Sequence, residues 1–150
     1  MVVTKLYTIG YENVGQADFV AALKAAKVKT LVDIREVANS RRARFSKKSL
    51  AAALDEAGIA YIHMKPLGTP KAGREAARKG DTKTMTSIFE AKLVEPESHL
   101  ALPETADLAK RGRTCIMCLE HDWRECHRAI VAKKMEKNGF KATHLEPGAD

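Results

Sequence analysis

No run of this chain approaches the about 20 apolar residues that a membrane helix needs, so a membrane-spanning role is not expected. The first residues, Met1 to Tyr7, lack a basic segment leading into an apolar one. No signal peptide is therefore expected, and the chain reads as cytoplasmic. Cysteine is scarce and odd in number, three in 150 residues. That argues against a disulfide framework and for a reducing compartment. Aromatics make up only 5%, and the basic stretches lack the interleaved rings on which single-strand nucleic-acid binders stack bases. There is no internal repeat, low-complexity tract or linker. Nucleotide-loop signatures are missing too: Gly10 and Gly15 are spaced like the ends of a phosphate loop, but no Lys-Ser or Lys-Thr follows, and no G-x-G-x-x-G is present.

What is there is a folding chain with a concentrated charge. A hydrophobic fraction of 45% beside 30% charged residues suits a soluble domain, and the length suits one domain spanning residues 1–150. Lys and Arg number 26 against 19 Asp and Glu, a net charge of +7. Residues 35–48 and 65–83 together hold twelve basic and three acidic side chains. Focused positive potential favours an anionic small molecule or nucleic acid as partner. A solvated basic surface is the plain alternative.

Along the chain, strand patterns alternate with helical ones. Leu6 to Ile9 reads as a strand ended by Gly10, and residues 16–27 as a helix burying Phe19, Val20, Leu23 and Ala26. Val28 to Ile34 reads as a buried strand. A helix from an N-cap at Ser46 to Ala57 is stopped by Gly58, and Ile59 to His63 reads as the third strand. Two prolines and two glycines make Pro66 to Gly73 an irregular loop. Helices follow over 84–94, broken by Pro96, and from about Ser98 or Pro103 to Lys110. Thr114 to Cys118 reads as a strand, residues 124–137 as a helix with a stop at Gly139, and Ala142 to Leu145 as a last strand. Strands separated by helices predict an α/β fold, a three-layer α/β/α sandwich with a mostly parallel sheet of about five strands.

In such sheets ligands bind beyond the carboxyl ends of the strands, and the unusual residues fall there. Gly10, Tyr11, Glu12 and Asn13 follow the first strand; Arg35, Asn39, Ser40, Arg41 and Arg42 follow the second. Pro66 to Gly73 follows the third, and the fourth leads into the segment Cys118 to Arg128. A zinc site there would draw on Cys115, Cys118, Cys126 and His121 or His127. Cys115 and Cys118 lie three apart on a strand and so point to opposite faces, and no metal or other cofactor is expected. Cys118 and Arg124 have the C-x5-R spacing of a phosphatase loop, but Glu120 and Asp122 inside it would repel phosphate. Cys126, His127 and Arg128 at a helix start are suited to catalysis or to anion binding. Buried, inert cysteines are the competing reading for all three.

Taken in order, Thr8-Ile9-Gly10-Tyr11, Asp33-Ile34-Arg35 with Ser40 and Phe45, Gly58-Ile59-x-Tyr61-x-His63, Leu67-Gly68, Cys118-x-Glu120 and Cys126-His127-Arg128 resemble family 488 of the domains of unknown function. The resemblance runs from about Tyr7 to His144 and implies an α/β fold without implying an activity. It departs at Ala38 and Ala43, where many members have proline nearby, at Gly15, where a hydroxyl cap is usual, and at Thr69, where a second glycine is. The polar set it carries over is Tyr11, Asp33, Arg35, Ser40, His63, Glu120, Cys126, His127 and Arg128. Asp33-Ile34-Arg35-Glu36 also resembles the strand-end segment of rhodanese-like domains, where a cysteine opens an anion-cradling loop.

The reading taken is an anion site with Tyr11, Asp33, Arg35, Ser40, Arg41 and Arg128 as binding residues. Glu120, Cys126 and His127 are the candidates for catalysis, with Glu120 or His127 as acid or base. A non-catalytic nucleotide or nucleic-acid module is one alternative. A thiol-redox protein using Cys118 and Cys126 is the other; its bridge would need Cα atoms closer than about 7 Å.

Overall fold

The computed structural model describes residues 4–148. Five strands form one sheet: β1 (Thr4–Gly10), β2 (Thr30–Asp33), β3 (Ala60–His63), β4 (Thr114–Cys118) and β5 (Phe140–His144). Every pairing is parallel, and the order across the sheet is β3-β2-β4-β1-β5. Six helices cover it: α1 (Gln16–Ala25), α2 (Lys47–Glu56), α3 (Lys71–Arg78), α4 (Thr82–Leu93), α5 (Pro96–Arg111) and α6 (Arg128–Glu136).

Side chains alternate along a strand, and each central strand here feeds two cores. Tyr7, Ile9, Leu31, Cys115 and Met117 pack with Phe19 and Leu23 of α1 and Leu50 and Leu54 of α2. Leu6, Val32, Ile34, Ile116 and Cys118 pack with Met85, Phe89 and Leu93 of α4, and with Val131 and Met135 of α6. The result is the expected three-layer sandwich. Gly58 and Gly139 end their helices at φ +77° and +91°, the left-handed region where glycine carries no Cβ penalty. Among the described residues, no helix is long and apolar enough to cross a membrane.

Three local expectations differ from the structure. The segment after β3 is only partly irregular, because Lys71–Arg78 is helical and contains Gly73. A Cβ on Gly73 would stand 2.5 Å from Thr69 Cγ2, so this glycine marks close packing rather than a break. Helix α5 starts at Pro96 and runs through Pro103. Pro103 and His99 are both exposed, so the carbonyl that loses its donor is left to water. After β4 the chain does not enter a helix at residue 124. The Asp122 carboxylate accepts from Arg124 N and closes a short 3-10 turn, Trp123–Glu125, and Cys126 is extended before α6 begins at Arg128.

The topology opens a crevice at one edge of the sheet. From β1 the chain crosses to β2 over the face that α1 covers; from β4 it crosses to β5 over the face that α6 covers. The loops leaving β1 and β4 thus part in opposite directions between adjacent strands, which opens a crevice at their carboxyl ends. Register brings the strand ends level: Gly10 pairs with Cys118, and Asp33 pairs with Met117 and His63.

Candidate functional site

Asp33 ends β2 fully buried and is satisfied by four donors. Arg35 gives it N at 3.1 Å, Nε at 2.9 Å and Nη2 at 2.7 Å, and the Tyr61 hydroxyl gives the fourth. Arg35 spends its remaining Nη1 hydrogens on Phe45 O at 2.8 Å and Tyr11 Oη at 3.3 Å. Burial works against the Arg35 cation, but the hydrogen bonds and charge of Asp33 outweigh it and hold the guanidinium firmly protonated. Burial and the Asp33 carboxylate likewise push the Tyr61 phenol above its usual range. Arg35 therefore folds back onto the carboxyl end of β2. The forked pair with Asp33 is the stronger attractor.

Around this pair the loop after β2 is tied down. Tyr11 and Phe45 stack with centroids 4.7 Å apart, and Arg42 lies over the Phe45 ring at 4.8 Å. Arg42 also donates to Tyr11 O at 2.7 Å and to Val14 O. Ser46 stands at the expected N-cap of α2, yet its hydroxyl accepts from Ser40 N at 3.1 Å instead of capping the helix. Ser40 in turn accepts from Arg42 N at 3.1 Å.

On the β4 side, Gly10 is the contact point. A Cβ there would lie 1.9 Å from Glu120 O and 2.5 Å from Arg128 Nη1. The absent side chain lets the loop after β4 and the Arg128 guanidinium close over β1. Arg128 is fully buried; its Nη2 donates to His121 O at 3.0 Å, and among the described residues Nε and Nη1 have no partner. Burial pulls its pKa down to about 10. His127 is nearly as buried, with Nε2 2.8 Å from Ile34 O. Burial pushes its ring down to about 4, with Arg128 adding to the effect against the Ile34 bond. Burial also raises the Glu120 carboxyl, against its own backbone hydrogen bond and the Arg128 charge.

These loops enclose a cleft of about 520 Å³ at the carboxyl edge of the sheet. Of the residues expected at a site, Tyr11, Arg35, Ser40, Arg41, Glu120 and His127 line it, together with Cys118. Asp33 stands behind Arg35, and Cys126 stands behind His127 with its sulfur on Cys118. Arg128 does not line the cleft, contrary to its expected role in holding an anion, because Gly10 admits its guanidinium beneath the β1 end. Residues not foreseen as binding are Arg42, Arg74 and Arg78. The last two were visible as charge in residues 65–83, and their i,i+4 spacing puts them on one face once α3 is helical. Arg74 is held by Glu36 Oε1 and Thr69 O, both at 2.9 Å. A Cβ on Gly68 would stand 2.2 Å from Glu36 N, so the loops after β2 and β3 also touch.

A family model described as "Domain of unknown function DUF488" matches residues 16–135. The chain belongs to this family. No curated protein and no solved structure matches it. In this DUF488 member the matched stretch holds every lining residue named above except Tyr11, and it leaves β1 and β5 outside. A second cavity, of about 530 Å³, lies at the opposite edge of the sheet among Lys24, Lys27, Lys29, Arg111 and Arg113. It contains no carboxylate, thiol or imidazole. The DUF488 cleft after β1, β2 and β4 is where cations, acids and sulfur meet.

The partly satisfied Arg128 gives a stability test. Replacing a poorly satisfied buried ion with an apolar side chain of similar volume is often neutral or stabilising. Arg128→Met should leave unfolding free energy unchanged or raise it by about 2 kcal/mol, measured by urea denaturation. A fall of more than about 1 kcal/mol would show instead that the guanidinium is a strut for the β1–β4 contact.

Proposed function

We propose that the protein binds a phosphorylated small molecule in the cleft at the carboxyl edge of its sheet, with Glu120 and His127 as its proton-handling groups. The observation that carries this is the lining: five arginines, 35, 41, 42, 74 and 78, share one cleft with Glu120 and His127. Its volume of about 520 Å³ is that of a small-molecule site, for which about 300–1,000 Å³ is usual.

The arginines divide by availability. Arg35, Arg42 and Arg74 are committed to Asp33, to backbone carbonyls and to Glu36, and they set the potential and shape of the wall. Arg41 and Arg78 are exposed on the rim and are the groups that would close on an anion by forked hydrogen bonds. Glu120, whose carboxyl burial raises above its ordinary value, is suited to donate a proton to a leaving oxygen. His127 is neutral with Nε2 engaged by Ile34, which leaves Nδ1 as an acceptor.

A ligand that binds only the folded state stabilises it by about 2.7 kcal/mol at a hundred times its Kd. For a domain of this size that corresponds to a rise of about 5–10 °C in Tm. Phosphate, nucleotides and phosphorylated sugars, screened at low salt, should include at least one that gives such a shift. Arg41→Ala and Arg78→Ala should each remove most of it, and Lys24→Ala, in the opposite cavity, should leave it intact. No shift with any of these ligands would end the reading, as would a shift lost in Lys24→Ala and kept in Arg41→Ala. A shift seen only with oligonucleotides, and abolished by salt, would replace the small molecule with nucleic acid.

A further inference from the structure

We propose that Cys118, Cys126 and His127, joined by Glu120, form a binding site for one zinc ion at the floor of the cleft. The inference stands without the anion reading, since the ion needs no phosphate; it takes Glu120 and His127 Nδ1 as ligands, so a zinc-loaded site would not use them as proton-handling groups.

Among the described residues, Cys118 Sγ, Cys126 Sγ and a His127 ring nitrogen lie within 4.8 Å of one another, all three residues being buried. The nitrogen facing the sulfurs is Nδ1, 3.7 Å from Cys126 Sγ. On the other side of the cluster, Glu120 Oε2 is 3.6 Å from Cys118 Sγ. Zn–S bonds of about 2.3 Å and Zn–N or Zn–O bonds of about 2.0–2.2 Å, set at tetrahedral angles, give sulfur-to-nitrogen and sulfur-to-oxygen edges of about 3.6 Å. Two edges of the tetrahedron are thus in place.

The third edge joins the two sulfurs, which in the structure are bonded as a disulfide. Their Cα atoms are 7.3 Å apart, beyond the limit of about 6.8 Å that disulfides usually span. Closing the site needs a reductant, for which a cellular dithiol is the class. The disulfide takes up two electrons and two protons to give two thiols. The zinc ion then displaces both thiol protons and binds the two thiolates.

The surroundings fit a metal. The His127 Nε2 contact with Ile34 O at 2.8 Å fixes the ring and leaves Nδ1 free, the usual second partner of a metal-bound histidine. Arg128 N points at Cys126 Sγ from 3.4 Å, a donor that favours thiolate. Two thiolates and a carboxylate around a divalent ion carry one surplus negative charge. The buried Arg128 guanidinium, packed with Glu120 around Gly10 and lacking partners at Nε and Nη1, balances it. Cys115, the remaining cysteine, lies in the other core and contributes nothing.

Cobalt is the probe, because its thiolate complexes absorb. The full chain, reduced by a phosphine without oxygen and stripped by a chelator, should take up one cobalt ion. A thiolate-to-cobalt band should appear in the near ultraviolet with tetrahedral bands in the visible, and one equivalent of zinc should remove both. Oxidised wild type, folded by circular dichroism, should take up none until reduced. Cys118→Ser and Cys126→Ser should each weaken cobalt binding at least 100-fold, and Cys115→Ala should not alter it. Glu120→Gln should keep the thiolate band with about 10- to 100-fold weaker affinity. Reduced, folded wild type without a thiolate band would overturn the proposal, as would a band that survives the double Cys118→Ser, Cys126→Ser substitution.

Discussion

Asp33→Ala should lower the unfolding free energy by about 3–5 kcal/mol, because it strands the Arg35 cation in the sheet. Arg35 is only 7% exposed and directs two of its side-chain nitrogens, as well as its backbone N, at Asp33. The Tyr61 hydroxyl would lose its acceptor as well. At about 2–4 °C per kcal/mol for a chain of this length, Tm should fall by about 6–20 °C. Adding Arg35→Met removes the stranded charge, so the double variant should be more stable than Asp33→Ala alone. That reversal separates a buried ion pair from simple loss of packing. If Asp33→Ala melts within about 2 °C of wild type, the pair does not organise the loop after β2.

Gly10→Ala is the second substitution with a large expected effect. The new Cβ would sit 1.9 Å from the Glu120 carbonyl oxygen, and a backbone atom cannot rotate away as a side chain can. Overpacking commonly costs about 1–3 kcal/mol, and a clash with backbone should reach the top of that range or pass it. The variant should also bind any cleft ligand poorly, because the loop carrying Glu120 must lift. Gly15 is the control. It caps α1 at φ −74° with nothing within 4 Å of a Cβ, so Gly15→Ser should be neutral or gain a few tenths of a kcal/mol. Equal effects at the two glycines would mean that the close approach at Gly10 relaxes at little cost.

The five strands were legible because each is a short apolar run between turn residues, and alternation with helices made the sheet parallel. The order of the strands was not legible: nothing local in Thr114 to Cys118 says that it inserts between β1 and β2. Helix α3 was hidden by Gly73 and Pro70, since tight packing against Thr69 and a chain break call for the same residue type. That a cleft opens at this edge was readable from which loops follow strands. The side-chain contacts within it were not, because they depend on long-range partners. Arg35 reads as an anion-binding cation until Asp33, Phe45 and Tyr11 are seen to take up its donors. Arg128 reads as a ligand until the missing side chain at Gly10 is seen to bury it. Cys115 and Cys118 do face opposite cores, as their spacing on a strand implied; the cysteine that meets Cys118 lies eight residues downstream, across a strand-to-helix loop.

The central place of β4 bears on how the chain acquires its shape. β1 pairs only with β4 and β5, and β2 only with β3 and β4. Until residues 114–118 exist, β1 has no partner at all, and β2 with β3 forms a two-stranded parallel fragment. A nascent chain must therefore carry an unpaired, apolar first strand through more than a hundred further residues of synthesis. Contacts so distant in sequence make for slow folding and an interval of exposure to aggregation. The same insertion delivers Cys118 and Glu120 between Tyr11 and Arg35, so the sheet and the cleft close in one step. Chains stopped before Thr114 should be open to protease throughout, and those extended past His144 should become resistant all at once.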